Sequence, residues 1–299
     1  MAKNGNPCQI TPLGGGGRRG HCAGRPAAEI APLLDPNILL PLLAKMLATA
    51  LVVVSASVAA ERAGSVLGAL ILALPISAGP GYAFLALRAD DAFVADTALH
   101  SFAVQGAIVA FLFVYVSVAQ RLSAAASLAA ALAAWLPCAV LVQQLDIRLP
   151  TALVLTAASF TFGFLFIRSP AWMPPSNRAR RGRADLIVRA VITGVLVAVV
   201  VTVSDAIGPA ATGVALVFPV SLTTISWIMH RRYGGAAAAA VLGATLRPLF
   251  GFLGFLLALH LLAEPIGTPL ALAAAVGCSV LWSLVLLARL GPLKRARVR

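Results

Sequence analysis

Long apolar runs, cut by short polar breaks, make up most of this chain. They fall near 38–60, 65–87, 92–119, 124–142, 151–167, 186–204, 210–229, 234–263 and 268–287. Most hold about 18 to 28 residues, and about 20 apolar residues in a helix cross a hydrocarbon core of about 30 Å. The breaks carry the residues that end helices: Glu61-Arg62-Ala63-Gly64, Arg88 to Asp91, Gln143 to Pro150, Arg168 to Asp185, and Asp205 to Pro209. The pattern predicts an all-α polytopic membrane protein with about nine transmembrane helices.

The runs repeat. A shift of 144 positions carries Lys45 onto Arg189 without a gap. It also brings Thr49 onto Thr193, Val53 onto Val197, Glu61 onto Asp205 and Gly64 onto Gly208. Pro75 then meets Pro219, Ser77 meets Ser221 and Arg88 meets Arg232. Overall identity is low, but the matches fall on the residue types that set helix ends and kinks. The expected organisation is a four-helix copy at 37–146, a connector helix and Arg-rich cytoplasmic loop at 147–185, and a second four-helix copy at 186–290. A disordered tail at 1–36 and a basic tail at 291–299 flank them. The first run is polar enough at its flanks to suggest a signal peptide, but it is longer than an h-region of about 7–15 residues.

An odd number of crossings between the two copies turns one upside down relative to the other, as in many transporters. Charge bears on this. In the second copy the loop Lys and Arg lie on one side, in 168–185, at Arg231 and Arg232, and in the C-terminal tail. The opposite turns hold Asp205 and Glu264. The basic side is expected to be cytoplasmic. Counting back puts Arg62 and Arg121 inside, with Lys45, Arg88 and Arg148 outside, and it also places the Arg-containing N-terminal tail outside, against the usual bias. If the fifth run lies in the membrane without crossing, that conflict vanishes and the copies are parallel. The strong polar break at 143–150 favours a crossing and inverted copies.

Composition excludes more than it assigns. The chain is 60% hydrophobic and 11% charged, far from the soluble average of about 25% charged. The net charge of +13 sits in flanks of apolar runs, so it points to anionic lipid headgroups of the bilayer and not to nucleic acid. Cys8 and Cys22 fall in the tail, and Cys138 and Cys278 in apolar runs, with no spacing that makes a zinc site. Gly14 to Gly17 is not followed by Gly-Lys-Ser/Thr and is no phosphate loop.

The ionisable residues inside the runs are the candidates for chemistry. Asp96 and His100 share a helix face at a spacing of four, and such residues often mark ion or proton paths. The plain alternative is that both sit at headgroup level. Arg247 lies deeper, and the shift places Ala103, near His100, at its counterpart. It is read either as a binding or gating charge or as a structural charge, with Asp96 the best partner within the runs. Pro75 with Ser77, and Pro219 with Ser221, are read as a pair of helix kinks. They could open carbonyls to a substrate, or be patched by neighbouring hydroxyls. Lys45 and Arg189 read as interfacial anchors, Glu61 and Asp205 as turn residues, and His230 and His260 as histidines near span ends. No catalytic constellation, cofactor motif or metal-ligand set appears.

The second copy, VRAVITGVLVAVVVTVSDAIGPAATGVALVFPVSLTTI, resembles the small four-helix bacterial inner-membrane proteins of the GlpM type. The resemblance rests on Arg189, Gly208-Pro209, and Gly213 to Phe218-Pro219. The first copy keeps Gly64 and Leu74-Pro75 but has Ser65 where the second has Pro209. It implies a bacterial inner membrane, here with a cytoplasmic C-terminus, and no activity. Two functions stand as expectations. One is a secondary transporter or exporter of small solutes, alternating access between the copies. The other is a non-transporting accessory or assembly subunit of an envelope complex. The partners expected are the lipid bilayer and, for the first reading, a small-molecule substrate. A homo-oligomer is compatible with the sequence.

Overall fold

The computed structural model describes residues 36–62, 78–168, 170 and 183–296. Pro75, Ser77, the tail and most of the 168–185 loop lie outside the described residues. The chain divides into residues 1–39 and 40–299. Of the first unit, the described part is the opening turn of a helix; the description below concerns the second.

Eleven helices are described: α1 (Pro36–Arg62), α2 (Gly79–Leu85), α3 (Asp91–Ala103), α4 (Gln105–Val118), α5 (Ala124–Gln144) and α6 (Leu149–Phe166), followed by α7 (Arg183–Leu216), α8 (Val220–Tyr233), α9 (Gly235–Ala244), α10 (Leu249–Ile266) and α11 (Thr268–Ala296). There is no strand among the described residues. Six helical stretches there are long and apolar enough to cross a membrane: Asp91–Val118, Ala124–Gln144, Leu149–Phe166, Ala190–Tyr233, Leu249–Ile266 and Thr268–Arg289. The chain is an all-helical protein with the spans of a multi-pass membrane protein.

Ala190–Tyr233 is not one rod. Gly208 adopts φ 76° and ψ 172°, a conformation that a residue with a Cβ rarely takes. The chain folds back there. A methyl on Gly81 would meet Leu216 on one arm of α7 and Val197 on the other.

Neighbouring helices run in opposite directions where the long elements cross. His260, late in α10, reaches the carbonyl of Ala95, early in α3, at 2.9 Å. Gly235, the first residue of α9, presses on Ala119 just beyond α4. The start of each long element therefore lies beside the end of the other. α1 also touches α7. A methyl on Gly194 would sit 2.9 Å from the Met46 carbonyl, and Lys45 Nζ lies 3.4 Å from Thr202 Oγ1.

The connector α6 runs beside α3 and α4 in the same direction. Thr156 Oγ1 donates to Phe102 O at 3.1 Å. Further along, Gly106 faces Ser159, and Gly163 faces Val109. With 18 residues rising about 1.5 Å each, α6 has the length of a crossing.

The helix starts obey a simple rule. Those of α3, α4 and α5 are Asp91, Gln105 and Ala124; those of α9, α10 and α11 are Gly235, Leu249 and Thr268, each 144 positions later. The chemistry at the paired turns differs. Asp90 caps α3 by accepting from Phe93 N at 2.8 Å, and Ser123 caps α5 by accepting from Ala126 N at 3.3 Å. Their counterparts, Gly234 and Gly267, turn the chain with positive φ. A side-chain cap and a left-handed glycine are two solutions to the same helix boundary.

Small residues set the packing, as lipid supplies no hydrophobic drive between helices. Ala95, Ala98, Ala103, Ala237, Ala238 and Ala239 are buried. Larger side chains fill the space between them, led by Tyr82, Tyr115, Phe111 and Phe255.

Candidate functional site

Three of the long elements are interrupted. α3 and α4 are separated at Val104. The chain between α7 and α8 unwinds at 217–219, and that between α9 and α10 at 245–248. The first and last breaks occupy matched places, since Val104 and Pro248 are 144 apart. At about 1.5 Å per helical residue, Val104 lies about 20 Å from the start of α3, near mid-span. Pro219 and Pro248 explain two of the breaks, because neither carries an N–H for the preceding turn. Val104 has no such signature.

A broken helix in a membrane leaves carbonyls that must find partners inside the protein. Here each break has a side chain that supplies one. Gln105 Nε2 donates to Ser101 O at 3.2 Å across the Val104 break. Trp282 Nε1 donates to Arg247 O at 3.0 Å at the 245–248 break. Ser101 Oγ donates to Gly213 O at 2.7 Å, just before the 217–219 break.

Ser101 is the hub. It receives the Tyr82 hydroxyl at 2.6 Å while donating to Gly213. Tyr82 Oη also lies 3.2 Å from Thr97 O. The backbones of α3 and the second arm of α7 touch here. A Cβ on Gly213 would fall 2.5 Å from Thr97 O, 3.1 Å from Ser101 N and 3.1 Å from His100 Cβ. Tyr82, Thr97, Ser101 and Gly213 thus form a junction of α2, α3 and α7 in which every group is neutral. Thr97 Oγ1 is buried there without a hydrogen-bond partner.

The residues singled out from the sequence fall in different places. His100 touches the junction through its Cβ, is half-buried, and holds its ring Nδ1 2.9 Å from Asp96 O. A carbonyl only accepts, so Nδ1 is the donor in this contact. Asp96 is exposed. Arg247 is exposed within the 245–248 break, and its carbonyl, not its guanidinium, makes the contact with Trp282. The expected Asp96–Arg247 pair is not formed; an ion pair that does form is Arg148–Asp146. Both sit on surfaces where a long side chain reaches water or headgroups. Pro219 starts α8, with Ser221 in its first turn. Lys45 lies within electrostatic reach of Asp205 and Arg88. His230 bonds Tyr115 Oη at 3.0 Å. Cys138 and Cys278 are free thiols. No metal-holding group of His, Cys, Asp and Glu occurs among the described residues.

Tyr82, Ser101 and Thr97 were not legible as candidates. Hydroxyls are unremarkable among apolar residues, and most of those in these helices bond their own preceding turn, as Thr202 and Thr212 do. The one available signal was the spacing of four between Thr97 and Ser101, opposite a glycine.

Comparison of the chain with family models, curated proteins and solved structures finds no match.

Proposed function

We propose that this chain is a secondary transporter of small solutes, built from two inverted four-helix copies joined by a crossing connector. The observation that carries the reading is the set of three broken helices near mid-span, two of them broken at positions 144 apart. Discontinuous helices at the interface of inverted copies are where many transporters bind substrate. The antiparallel crossing of α3–α4 with α9–α10 supports the inversion. The path of α6 beside α3 and α4 supports nine crossings. The turn at Gly208 supports kinship with the GlpM type, whose second helix follows a Gly-Pro turn.

The junction at Tyr82, Thr97, Ser101 and Gly213 is the proposed site. Its oxygens are neutral, and the described residues buried elsewhere in polar contexts are Thr, Ser and Gln. A small, uncharged, hydroxyl- or amide-bearing solute matches that lining, whereas a buried ion would need a counter-charge. Inward and outward states would differ in which side of the 217–219 break is open.

One observation favours a second reading, an accessory subunit of an envelope complex. Small residues bring the helices together at Gly194, Gly213 and Gly235, and Asp96 and Arg247 form no ion pair with each other. Counterflow separates the two. Proteoliposomes containing the chain, loaded in turn with unlabelled neutral amino acids, polyols and sugars, are given the same labelled solute outside. The transporter reading expects uptake of at least one class, lost in Ser101→Ala. Equal uptake by empty liposomes for every class would leave the accessory role as the account.

A further inference from the structure

Two turns at one end of the bundle are clamped together. A Cβ on Gly235 would lie 1.7 Å from Ala119 O and 3.1 Å from Gln120 N, so only glycine allows the α8–α9 turn to press on the α4–α5 turn. Beside that contact, Tyr115 Oη in the last turn of α4 meets His230 Nδ1 in the last turn of α8 at 3.0 Å. The clamp holds the turn that carries Arg121 beside the helix end that carries Arg231 and Arg232, all three exposed.

The flank of this rim is aromatic. The Arg231 guanidinium sits 5.7 Å from the centroid of the Trp227 ring. Trp227 is one helical turn deeper along α8 and is 42% exposed. Guanidinium groups bind phosphate oxygens in pairs of hydrogen bonds. An indole at headgroup depth lies along the first carbons of an acyl chain. A rim of fixed cations above an exposed indole matches a phosphodiester joined to acyl chains better than it matches a free anion.

We infer that the clamped rim of Arg121, Arg231 and Arg232, with Trp227 below it, is a docking site for one anionic phospholipid. This differs from the general basic bias of a cytoplasmic face. The two turns that carry these three arginines are held together by backbone contact. The inference is independent of whether the protein transports anything.

The test measures binding of fluorescent phosphatidylglycerol to the full chain in neutral detergent. Four forms are compared: wild type, Arg121→Gln/Arg231→Gln/Arg232→Gln, Trp227→Leu, and the tail variant Lys294→Gln/Arg295→Gln/Arg297→Gln. Each arginine near a charged lipid contributes about a fivefold change in affinity. The rim variant should therefore bind roughly a hundredfold more weakly, with Trp227→Leu also weakened. The tail variant should stay within about twofold of wild type, and millimolar inorganic phosphate should not displace the lipid. If the triple variant fails to fold, Arg121→Gln and Arg231→Gln are read singly, each with about the fivefold loss. Equal losses in the rim and tail variants would overturn the site. So would wild-type affinity in the rim variants, or displacement of the lipid by phosphate alone.

Discussion

Replacing Gly213 by Ala would put a methyl carbon 2.5 Å from the Thr97 carbonyl oxygen. Carbon and oxygen pack at about 3.3–3.6 Å, so the second arm of α7 must retreat from α3 by about 0.8 Å or more. The contact is backbone against backbone, and no side-chain rotation relieves it. The same retreat stretches the Ser101 Oγ–Gly213 O bond, now 2.7 Å, to about 3.5 Å, beyond a normal hydrogen bond. Overpacking costs about 1–3 kcal/mol and the lost hydrogen bond about 0.5–1.5 kcal/mol. Alanine returns up to about 1 kcal/mol through helix propensity. The net expectation is a loss of about 1–3 kcal/mol, and at about 2–4 °C per kcal/mol the apparent Tm falls by several degrees. Gly277→Ala is the matched control, because a Cβ there meets nothing within 4 Å. Fluorescence-detected thermal unfolding of both variants in one detergent reads the difference. In Gly213→Ala, the further change Ser101→Ala should cost less than it does in wild type, because the bond is already broken. If Gly213→Ala is as stable as Gly277→Ala, the close junction of α3 and α7 does not exist as described.

Other perturbations test the breaks and caps separately. Trp282→Phe leaves Arg247 O without its side-chain donor and should lower stability by about 0.5–1.5 kcal/mol in the same thermal assay, with ring packing largely kept. Asp91 accepts hydrogen bonds from Thr268 N at 2.9 Å and from its hydroxyl, capping α11 from a distance. Asp91→Ala should therefore cost about 0.5–2 kcal/mol, and Thr268→Ala should add little to it. Tyr82→Phe removes the hydroxyl that meets Ser101 but keeps the ring against Phe255. In a counterflow assay it should reduce uptake far more than Arg247→Ala, whose side chain is outside the junction.

Most of the helical plan was readable because it depends on run length and on stop residues. The breaks at 217–219 and 245–248 follow from Pro219 and Pro248. The Val104 break did not show. No residue there forbids a helix, and the irregularity is met locally, by the Gln105 side chain acting on the carbonyl of Ser101 four residues back. The matched helix starts were obscured for a related reason. Asp90 and Gly234 end their loops by different chemistry, as do Ser123 and Gly267, so identity is low where architecture agrees. The candidate site was legible only through His100. Ionisable groups stand out in an apolar run, whereas Thr97, Ser101 and Tyr82 act through a fold-back at Gly208 that brings Gly213 to them. Asp96 and Arg247 stand out equally in sequence but lie on exposed surfaces, where charge is ordinary.

The central claim is that the two copies are inverted and α6 crosses the membrane between them. Sidedness tests it most directly. Single cysteines replace Arg88, Arg121, Arg148, Arg168 or Arg232, all exposed, in a background without Cys8, Cys22, Cys138 and Cys278. Intact cells are treated with a membrane-impermeant thiol reagent, and again after permeabilisation. The account predicts labelling at positions 88 and 148 in intact cells, and at 121, 168 and 232 only after permeabilisation. Labelling of 148 and 168 from the same side would mean that α6 does not cross, and it would contradict the inverted arrangement on which the transport reading rests.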